Sequence, residues 1–222
     1  MKKEILVGLI VALAAFGSAC QQTAGNLNSA ANHNAMNDNS MMMNQNAMPM
    51  NGNSNMSGMM DMKSSPNAAN APYDLQFLDT MTAHHQGAVE MAGPAAAKVQ
   101  HSEIKTLAAN IISSQQKEIA QMKAWRDQWF AGKEPAMNME MMGMNDSMRG
   151  MDMKMLGTLS GNEFDLAFIK QMIPHHEGAV FMAKEALQKS TKPEIKTLAG
   201  AIIKAQEAEI KQMKGWQTAW SK

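Results

Sequence analysis

The stretch YDLQFLDTMTAHHQGAVEMA at residues 73–92 recurs as FDLAFIKQMIPHHEGAVFMA at residues 164–183. These stretches begin two copies of one segment, residues 73–129 and 164–220, which align without a gap at an offset of 91. Of the 57 aligned positions, 29 are identical. Both copies keep M-x-x-H-H-x-G-A-V-x-M-A near the start and Q-x-x-E-I-x-Q-M-K-x-W near the end. The packed part of the chain is therefore predicted to consist of two equivalent halves.

Each copy has the apolar pattern of a helical hairpin. Leu75, Leu78 and Met81 recur at helical spacing in the first half, and the second half shows the same periodicity from Ile104 onwards. A short polar turn near residues 99–102 separates the halves. One hairpin cannot enclose its apolar stripe, whereas two hairpins related by a pseudo-twofold axis form a four-helix bundle. The sequence therefore predicts an all-α fold in which two repeated hairpins make one bundle.

Prolines and a glycine modify this pattern. Pro193 is predicted in the first turn of the fourth long helix, where its missing N–H costs nothing. Pro174 is predicted to kink the third long helix one residue before the His pair, and Gly93-Pro94 to bend the end of the first.

The first 19 residues have the pattern of an export signal. Lys2 and Lys3 precede an apolar run at residues 5–16 that is too short to remain as a membrane-spanning helix. Cys20 is the only cysteine, so it forms no internal disulfide, and its position after small residues resembles a bacterial lipobox. We therefore expect a protein of the bacterial cell envelope, either periplasmic or anchored to the membrane by a lipid on Cys20.

Charge and composition narrow the range of partners. The 20 basic residues balance the 20 acidic ones, so no overall field attracts nucleic acid, and no nucleic-acid partner is expected. Methionine is the outlier of the composition, with 26 residues against one cysteine. This balance points to thioether chemistry rather than thiol chemistry.

Most methionines lie in two segments outside the repeats. Residues 20–72, also rich in asparagine, and residues 130–163, which join the copies, contain few branched or aromatic apolar side chains. Such segments bury too little surface to offset their ordering entropy, so a disordered tether and a disordered linker are predicted. Their clustered thioethers are candidate auxiliary metal ligands, namely Met41, Met42, Met43, Met48, Met50, Met137, Met139, Met141, Met142 and Met144.

The histidine pairs fall on the buried side of the predicted helices. At about 100° per residue, His84 and His85 lie at about −60° and +40° from Met81 and so straddle the buried direction. If the hairpin turns near residue 100, Gln115 and Glu118 on the second helix lie level with these histidines. The predicted layer, and the candidate ligands if it holds an ion, are Met81, His84, His85, Met91, Met122, Met172, His175, His176, Met182 and Met213. The polar residues expected beside them are Gln115, Glu118, Gln206 and Glu209.

Two interpretations of this layer compete. In one, the histidines and glutamates satisfy each other by hydrogen bonds while the methionines fill the core. In the other, the layer binds a metal ion. Thioether and imidazole ligands select soft or borderline ions, so the methionine-rich composition favours Cu(I) and, by extension, Ag(I). Thioethers also need no deprotonation and tolerate an oxidising compartment.

Harder ions and a metal-free role remain as alternatives. Cu(II) or Zn could bind through the histidines and glutamates, with or without redox chemistry, and the bundle could also be a structural envelope module without metal. An enzymatic di-iron site is not expected, because such bundles use paired Glu-x-x-His motifs, which this chain lacks. The metal hypothesis therefore describes a non-enzymatic protein that sequesters its ion or hands it to a transfer partner.

The paired segments MTAHHQGAVEMA and MIPHHEGAVFMA resemble the signature of the family of domains of unknown function numbered 305. The resemblance covers about residues 73–220 and implies a ferritin-like helical bundle. Methionine-rich members of this family resemble periplasmic copper-binding proteins implicated in copper resistance. The resemblance therefore implies Cu(I) or Ag(I) binding by the methionines and histidines of both paired segments.

Overall fold

A computed structural model describes residues 62–221, and the regular elements in that range are helices. They are α1 (Tyr73–Ala92), α2 (Ala95–Lys98), α3 (Ser102–Trp129), α4 (Met144–Arg149), α5 (Met153–Thr158), α6 (Gly161–Lys189) and α7 (Pro193–Trp220). None of these helices is long and apolar enough to cross a membrane. The predicted export signal, Cys20 and the tether as far as residue 61 lie outside the described residues.

Two long hairpins form the bundle. α1 packs against α3, α6 packs against α7, and the hairpins meet through α1 and α6. The first hairpin starts at Tyr73, and the second starts at Gly161, slightly before the aligned repeat begins. The all-α class and the bundle of two repeated hairpins are confirmed.

Three prolines lie at different places relative to the helices. α7 begins at Pro193, whose missing N–H is not needed in a first turn, and α6 continues through Pro174. α1 ends at Ala92, and Gly93 and Pro94 separate it from the single turn of α2. The helix predicted to bend at this dipeptide is therefore interrupted there.

Two buried aspartates hold the hairpins in register. Asp165 at the start of α6 accepts hydrogen bonds from the backbone nitrogens of His101, at 2.8 Å, and Gln100, at 3.1 Å, in the turn of the first hairpin. Asp74 at the start of α1 accepts one from Thr191 Oγ1, at 2.6 Å, in the turn of the second hairpin. A buried carboxylate needs such donors. The first helix of each hairpin is thus hydrogen-bonded to the turn of the other hairpin. As a result, α1 and α6 run antiparallel and their His pairs are adjacent.

The linker differs from the prediction. Residues 130–163 were expected to be disordered, but they form α4 and α5 and cover the bundle, mainly along α6. The reason is the position of the linker methionines rather than their number. Met141, Met144, Met148 and Met151 follow one another at intervals of three or four residues, so they fall on one side of a helical path. The flexible thioether side chains fill the irregular surface of the bundle, and Met141, Met144 and Met151 are buried.

The end of the predicted tether is also ordered. Residues 62–72 run beside the linker, where Ser65 N donates a hydrogen bond to Met137 O at 2.8 Å. Met139 N donates one to Ser64 Oγ at 2.9 Å. A 3-10 turn at Ala68–Asn70 then leads into α1. The prediction of disorder is therefore wrong for residues 62–72, because backbone pairing with the linker stabilises them.

Candidate metal centre

Four buried histidines lie at the middle of the bundle. His84 and His85 on α1, and His175 and His176 on α6, are each at most 1% exposed. The rings of His84 and His175 stack on each other, with centroids 3.8 Å apart and planes 14° apart. This stack joins the two hairpins at the pseudo-twofold axis, since the two residues are equivalent at the offset of 91.

A glutamate holds the outer histidine of each pair. His85 Nε2 lies 2.7 Å from Glu118 Oε2 on α3, and His176 Nε2 lies 2.7 Å from Glu209 Oε2 on α7. The histidine side chains are fully buried, whereas the glutamates are about one-fifth exposed. The structure therefore places Glu118 level with the histidines, as the predicted turn near residue 100 requires.

The inner histidines also direct Nε2 at an acceptor. His175 Nε2 donates to the backbone oxygen of His84 at 3.1 Å. His84 Nε2 lies 3.1 Å from Ser147 Oγ, whose own hydroxyl donates to the Met144 carbonyl at 2.7 Å. Because that hydroxyl proton is already used, Ser147 accepts from His84. All four histidines are thereby fixed with a proton on Nε2.

The other ring nitrogens face no protein partner. The Nδ1 atoms of His84, His85, His175 and His176 are all buried without a hydrogen-bond partner among the described residues. With the proton on Nε2, each Nδ1 carries a lone pair, which is the form of imidazole that binds metal ions. The site therefore contains four buried nitrogen atoms that can each donate a lone pair to a metal ion. The orientation of each ring is set by the hydrogen-bond acceptor that its Nε2 faces.

Burial keeps the inner pair neutral. Desolvation, followed by the repulsion of neighbouring histidines, lowers the pKa of His175 to about 3. The same causes lower the pKa of His84 well below its usual value. Both rings are therefore uncharged near neutral pH and available as ligands without losing a proton.

The core methionines form two clusters on either side of the histidine layer. The first methionine cluster contains Met81, Met122, Met141, Met144 and Met182, and the second contains Met91, Met151, Met153, Met172 and Met213. Each cluster includes side chains from both hairpins and from the linker. The two clusters are pseudo-equivalent in their bundle residues but not in the linker residues that complete them.

This division corrects the single layer predicted from the sequence. Met81 and Met91 belong to one repeat, yet they lie in different clusters. Ten residues of helix span about 15 Å, so both cannot lie at the level of the histidines. Because α1 and α6 are antiparallel, Met182 joins Met81, and Met172 joins Met91.

The linker approaches the histidines over the two glycines of the repeated motif. A Cβ at Gly178 would lie 2.5 Å from Ser147 Cβ and against the backbone oxygen of Gly143, so α4 contacts α6 where no side chain intervenes. A Cβ at the equivalent Gly87 would lie 3.3 Å from Met151 Cε and 3.4 Å from His175 Cε1. Because neither glycine has a side chain, α4 can lie close to the histidines at Gly178, and Met151 can lie close to them at Gly87.

The remaining predicted site residues lie in varied surroundings. Gln115 and Gln206 are buried, and their side-chain oxygens have no partner among the described residues. Met137 and Met139 are half-buried, whereas Met142 is 59% exposed. The other candidate auxiliary ligands, Met41, Met42, Met43, Met48 and Met50, lie outside the described residues.

The histidines and carboxylates of the described residues do not by themselves form a metal site with three or more ligands. Within residues 62–221, no three or more His, Cys, Asp or Glu side chains are grouped so that they could hold an ion.

The sequence interpretation missed three contributors to the core. Ser147 fixes the tautomer of His84, and Met151 and Met153 complete the second methionine cluster. The spacing of the linker methionines was the signal for Met151, because it marks one side of a helical path. No sequence pattern identifies Ser147, whose role depends on the close contact between α4 and α6.

Comparison with known proteins identifies close structural relatives. The model of a domain of unknown function (DUF305) matches residues 17–126 and 74–217. CopM in its Cu(II)-bound form is 45% identical, with 66% of this chain and 97% of CopM covered and a TM-score of 0.58. CopM in its Cu(I)-bound form gives 44% identity, 66% and 96% coverage, and a TM-score of 0.56. A putative secreted DUF305 protein from Streptomyces coelicolor is 31% identical over 70% of this chain and 95% of that protein, with a TM-score of 0.61. No match is found among curated proteins.

Proposed function

This chain belongs to the DUF305 family, and from that premise we propose that it is an exported, non-enzymatic copper-binding protein of the bacterial envelope. It binds Cu(I), and Ag(I) by the same chemistry, through methionine sulfurs and histidine nitrogens inside the helical bundle. By sequestering the ion or handing it on, it contributes to copper resistance or homeostasis.

The four buried Nδ1 lone pairs beside two thioether clusters carry this proposal. A buried polar atom without a partner is costly, and four in one layer, all on the same ring nitrogen, indicate that partners of one chemical kind are missing. Imidazole nitrogen and thioether sulfur together select Cu(I) and Ag(I) over oxygen-seeking ions such as Mg²⁺. A purely structural histidine layer would instead use both nitrogens of each ring.

The arrangement supports two pseudo-equivalent centres. His85 is one helical turn from Met81, and its partner Glu118 is one turn from Met122, so these ligands lie close together. Met182 joins them from the other hairpin. The second centre has the equivalent set at His176, with Met172, Met213 and Met91. In each centre a glutamate orients the histidine and raises the basicity of its Nδ1.

The related structures support the choice of metal. CopM has been seen in Cu(I)-bound, Cu(II)-bound and Ag-bound forms, as well as in an apo form. Nearly the whole of CopM aligns with this chain, so the comparison includes the complete bundle and not a fragment of it. The methionine sulfurs and histidine nitrogens in the bundle are the soft and borderline ligands that Cu(I) and Ag(I) prefer.

An anaerobic titration of the full chain tests this proposal. The variant carries Met81→Leu, Met122→Leu, Met172→Leu and Met213→Leu, which remove two sulfurs from each centre. Leucine has nearly the same volume, so the fold is expected to persist, as circular dichroism can verify. Competition with a chromophoric Cu(I) chelator should show the affinity of the tightest-bound ions falling by about tenfold or more.

A matched control separates the core from the other methionines. Met142→Leu/Met155→Leu removes two thioethers that are 59% and 40% exposed, and it should leave the tightest binding unchanged. Equal losses in both variants would contradict binding in the core. If His85→Gln and His176→Gln abolish binding while the methionine changes do not, the ion is a harder one, Cu(II) or Zn. Absence of any Cu(I) or Ag(I) binding would favour a metal-free module.

A further inference from the structure

The linker methionines connect the two clusters. Met144 on α4 belongs to the first methionine cluster, and Met151, just beyond α4, belongs to the second. Met148 lies between them in sequence, is partly buried, and packs against both of the hydrophobic cores that contain the two methionine clusters. Adjacent members of this series are three or four residues apart, so within α4 their Cβ atoms are about 5–6 Å apart, within reach of the flexible thioether side chains.

The series also reaches the surface at the first cluster. Met62 and Met139 are partly buried and pack against the hydrophobic core that contains the first methionine cluster, where the start of the described chain pairs with the linker. Met142, which follows the buried Met141, is 59% exposed. In the described part of the chain, Met148 is the one partly buried methionine that packs against the hydrophobic core containing the second cluster.

Thioethers are suited to passing an ion between sites. Methionine has a flexible, uncharged side chain, so a third sulfur can approach a bound Cu(I) or Ag(I) before another leaves. One metal–sulfur bond forms while one breaks, the oxidation state of the ion is unchanged, and no proton is released. Closely spaced sulfurs that touch two sites are therefore enough for transfer by ligand exchange.

We propose that Met148 is the relay residue through which a monovalent soft ion moves between the first and the second methionine cluster. The ion reaches the first cluster from the surface through Met62, Met139 and the linker, and it reaches the second cluster by way of Met148. This inference rests on the proposed function, because it requires both clusters to bind the ion.

Methyl NMR of the full chain with Ag(I) tests the relay. Ag(I) is redox-inert and diamagnetic, and ¹³C-methyl methionine reports each cluster separately, for example through Met81 and Met213. At half saturation, exchange spectroscopy measures how fast an ion moves between the clusters. Met148→Leu should slow this exchange by about tenfold, the effect of losing about 1.4 kcal/mol of barrier stabilisation. The matched control, Met155→Leu, should leave the exchange rate unchanged.

The saturated state distinguishes this inference from the proposed function. In Met148→Leu, full Ag(I) loading should still shift the methyl signals of both clusters, as in the unsubstituted chain. An unchanged exchange rate in Met148→Leu would overturn the relay while leaving the two centres intact. An exchange rate that rises with protein concentration would also overturn it, since ions would then pass between molecules. If Ag(I) shifts neither cluster, the proposed function fails and the relay fails with it.

Discussion

Replacing Gly178 with alanine should detach α4 from the bundle. In a helix interior where nothing lies against the new side chain, a change from glycine to alanine stabilises the folded chain by about 1 kcal/mol, because glycine has the lower helix propensity. Here the new Cβ would lie 2.5 Å from Ser147 Cβ and 2.8 Å from Ser147 Oγ, and it would also press against the backbone oxygen of Gly143. The α4 helix must therefore shift. Overpacking of this kind costs about 1–3 kcal/mol, and loss of the Ser147 hydrogen bond to His84 costs about 1 kcal/mol more. The net expectation is a loss of about 1–3 kcal/mol.

Gly87→Ala is the matched control, because it is the same motif position in the first repeat. Its nearest neighbours are the end of the flexible Met151 side chain, at 3.3 Å, and His175 Cε1, at 3.4 Å. A small movement of the Met151 side chain makes room for the new Cβ. Because alanine has the higher helix propensity, the free energy of unfolding of this variant should be equal to that of the unsubstituted chain or higher by up to about 1 kcal/mol.

Urea unfolding followed by circular dichroism measures both variants, and hydrogen exchange of residues 141–151 reports whether α4 remains docked. Gly178→Ala should unfold at lower urea than Gly87→Ala and should lose amide protection in that segment. Equal midpoints, or full protection of the linker in Gly178→Ala, would refute the close contact between α4 and α6.

Three further predictions concern the histidine layer and its supports. The pKa of His175 is about 3 in the folded chain and about 6.5 unfolded, so the stability of the metal-free protein should fall as pH drops below 6.5, by about 2 kcal/mol at pH 5 from this residue alone. His84, whose pKa is lowered by the same causes, should add to the loss. Urea midpoints that do not fall with pH in this window would contradict the prediction. Glu209→Gln keeps an acceptor for His176 but removes the charge, and it should weaken Cu(I) binding in chelator competition by about tenfold, whereas the exposed Glu207→Gln should have no effect. Asp165→Ala removes the acceptor for the His101 and Gln100 backbone nitrogens and should lower the free energy of unfolding by about 1.5–3 kcal/mol. A loss below the error of urea titration would mean that these hydrogen bonds between the hairpins do not stabilise the bundle.

The repeat made the hairpins and part of the site predictable. Once the two copies were aligned, periodicity located the helices, and the turn near residue 100 placed Glu118 beside His85, because both follow from local helical geometry. Which hairpin faces which could not be read in this way. The crossing that puts Met182 with Met81 depends on contacts between the turns and Asp74 or Asp165, which are distant in sequence.

The linker was mispredicted because composition was weighed above spacing. Its methionine, glycine and asparagine content is typical of disordered segments. The interval between Met144 and Met148 is that of a helix, however, and the apolar surface that α4 covers belongs to α6. Order in this segment therefore depends on a partner surface that its own sequence does not contain.

In the function we propose, a soft ion is held inside the bundle between thioether sulfurs and histidine Nδ1 atoms. The most direct measurement is a long-range ¹H–¹⁵N spectrum of the imidazole nitrogens in the full chain, recorded without metal and at Ag(I) saturation. We predict that the Nδ1 signals of His85 and His176 move strongly and show coupling to silver, while both Nε2 atoms stay protonated. Unmoved Nδ1 signals at saturation would contradict the account.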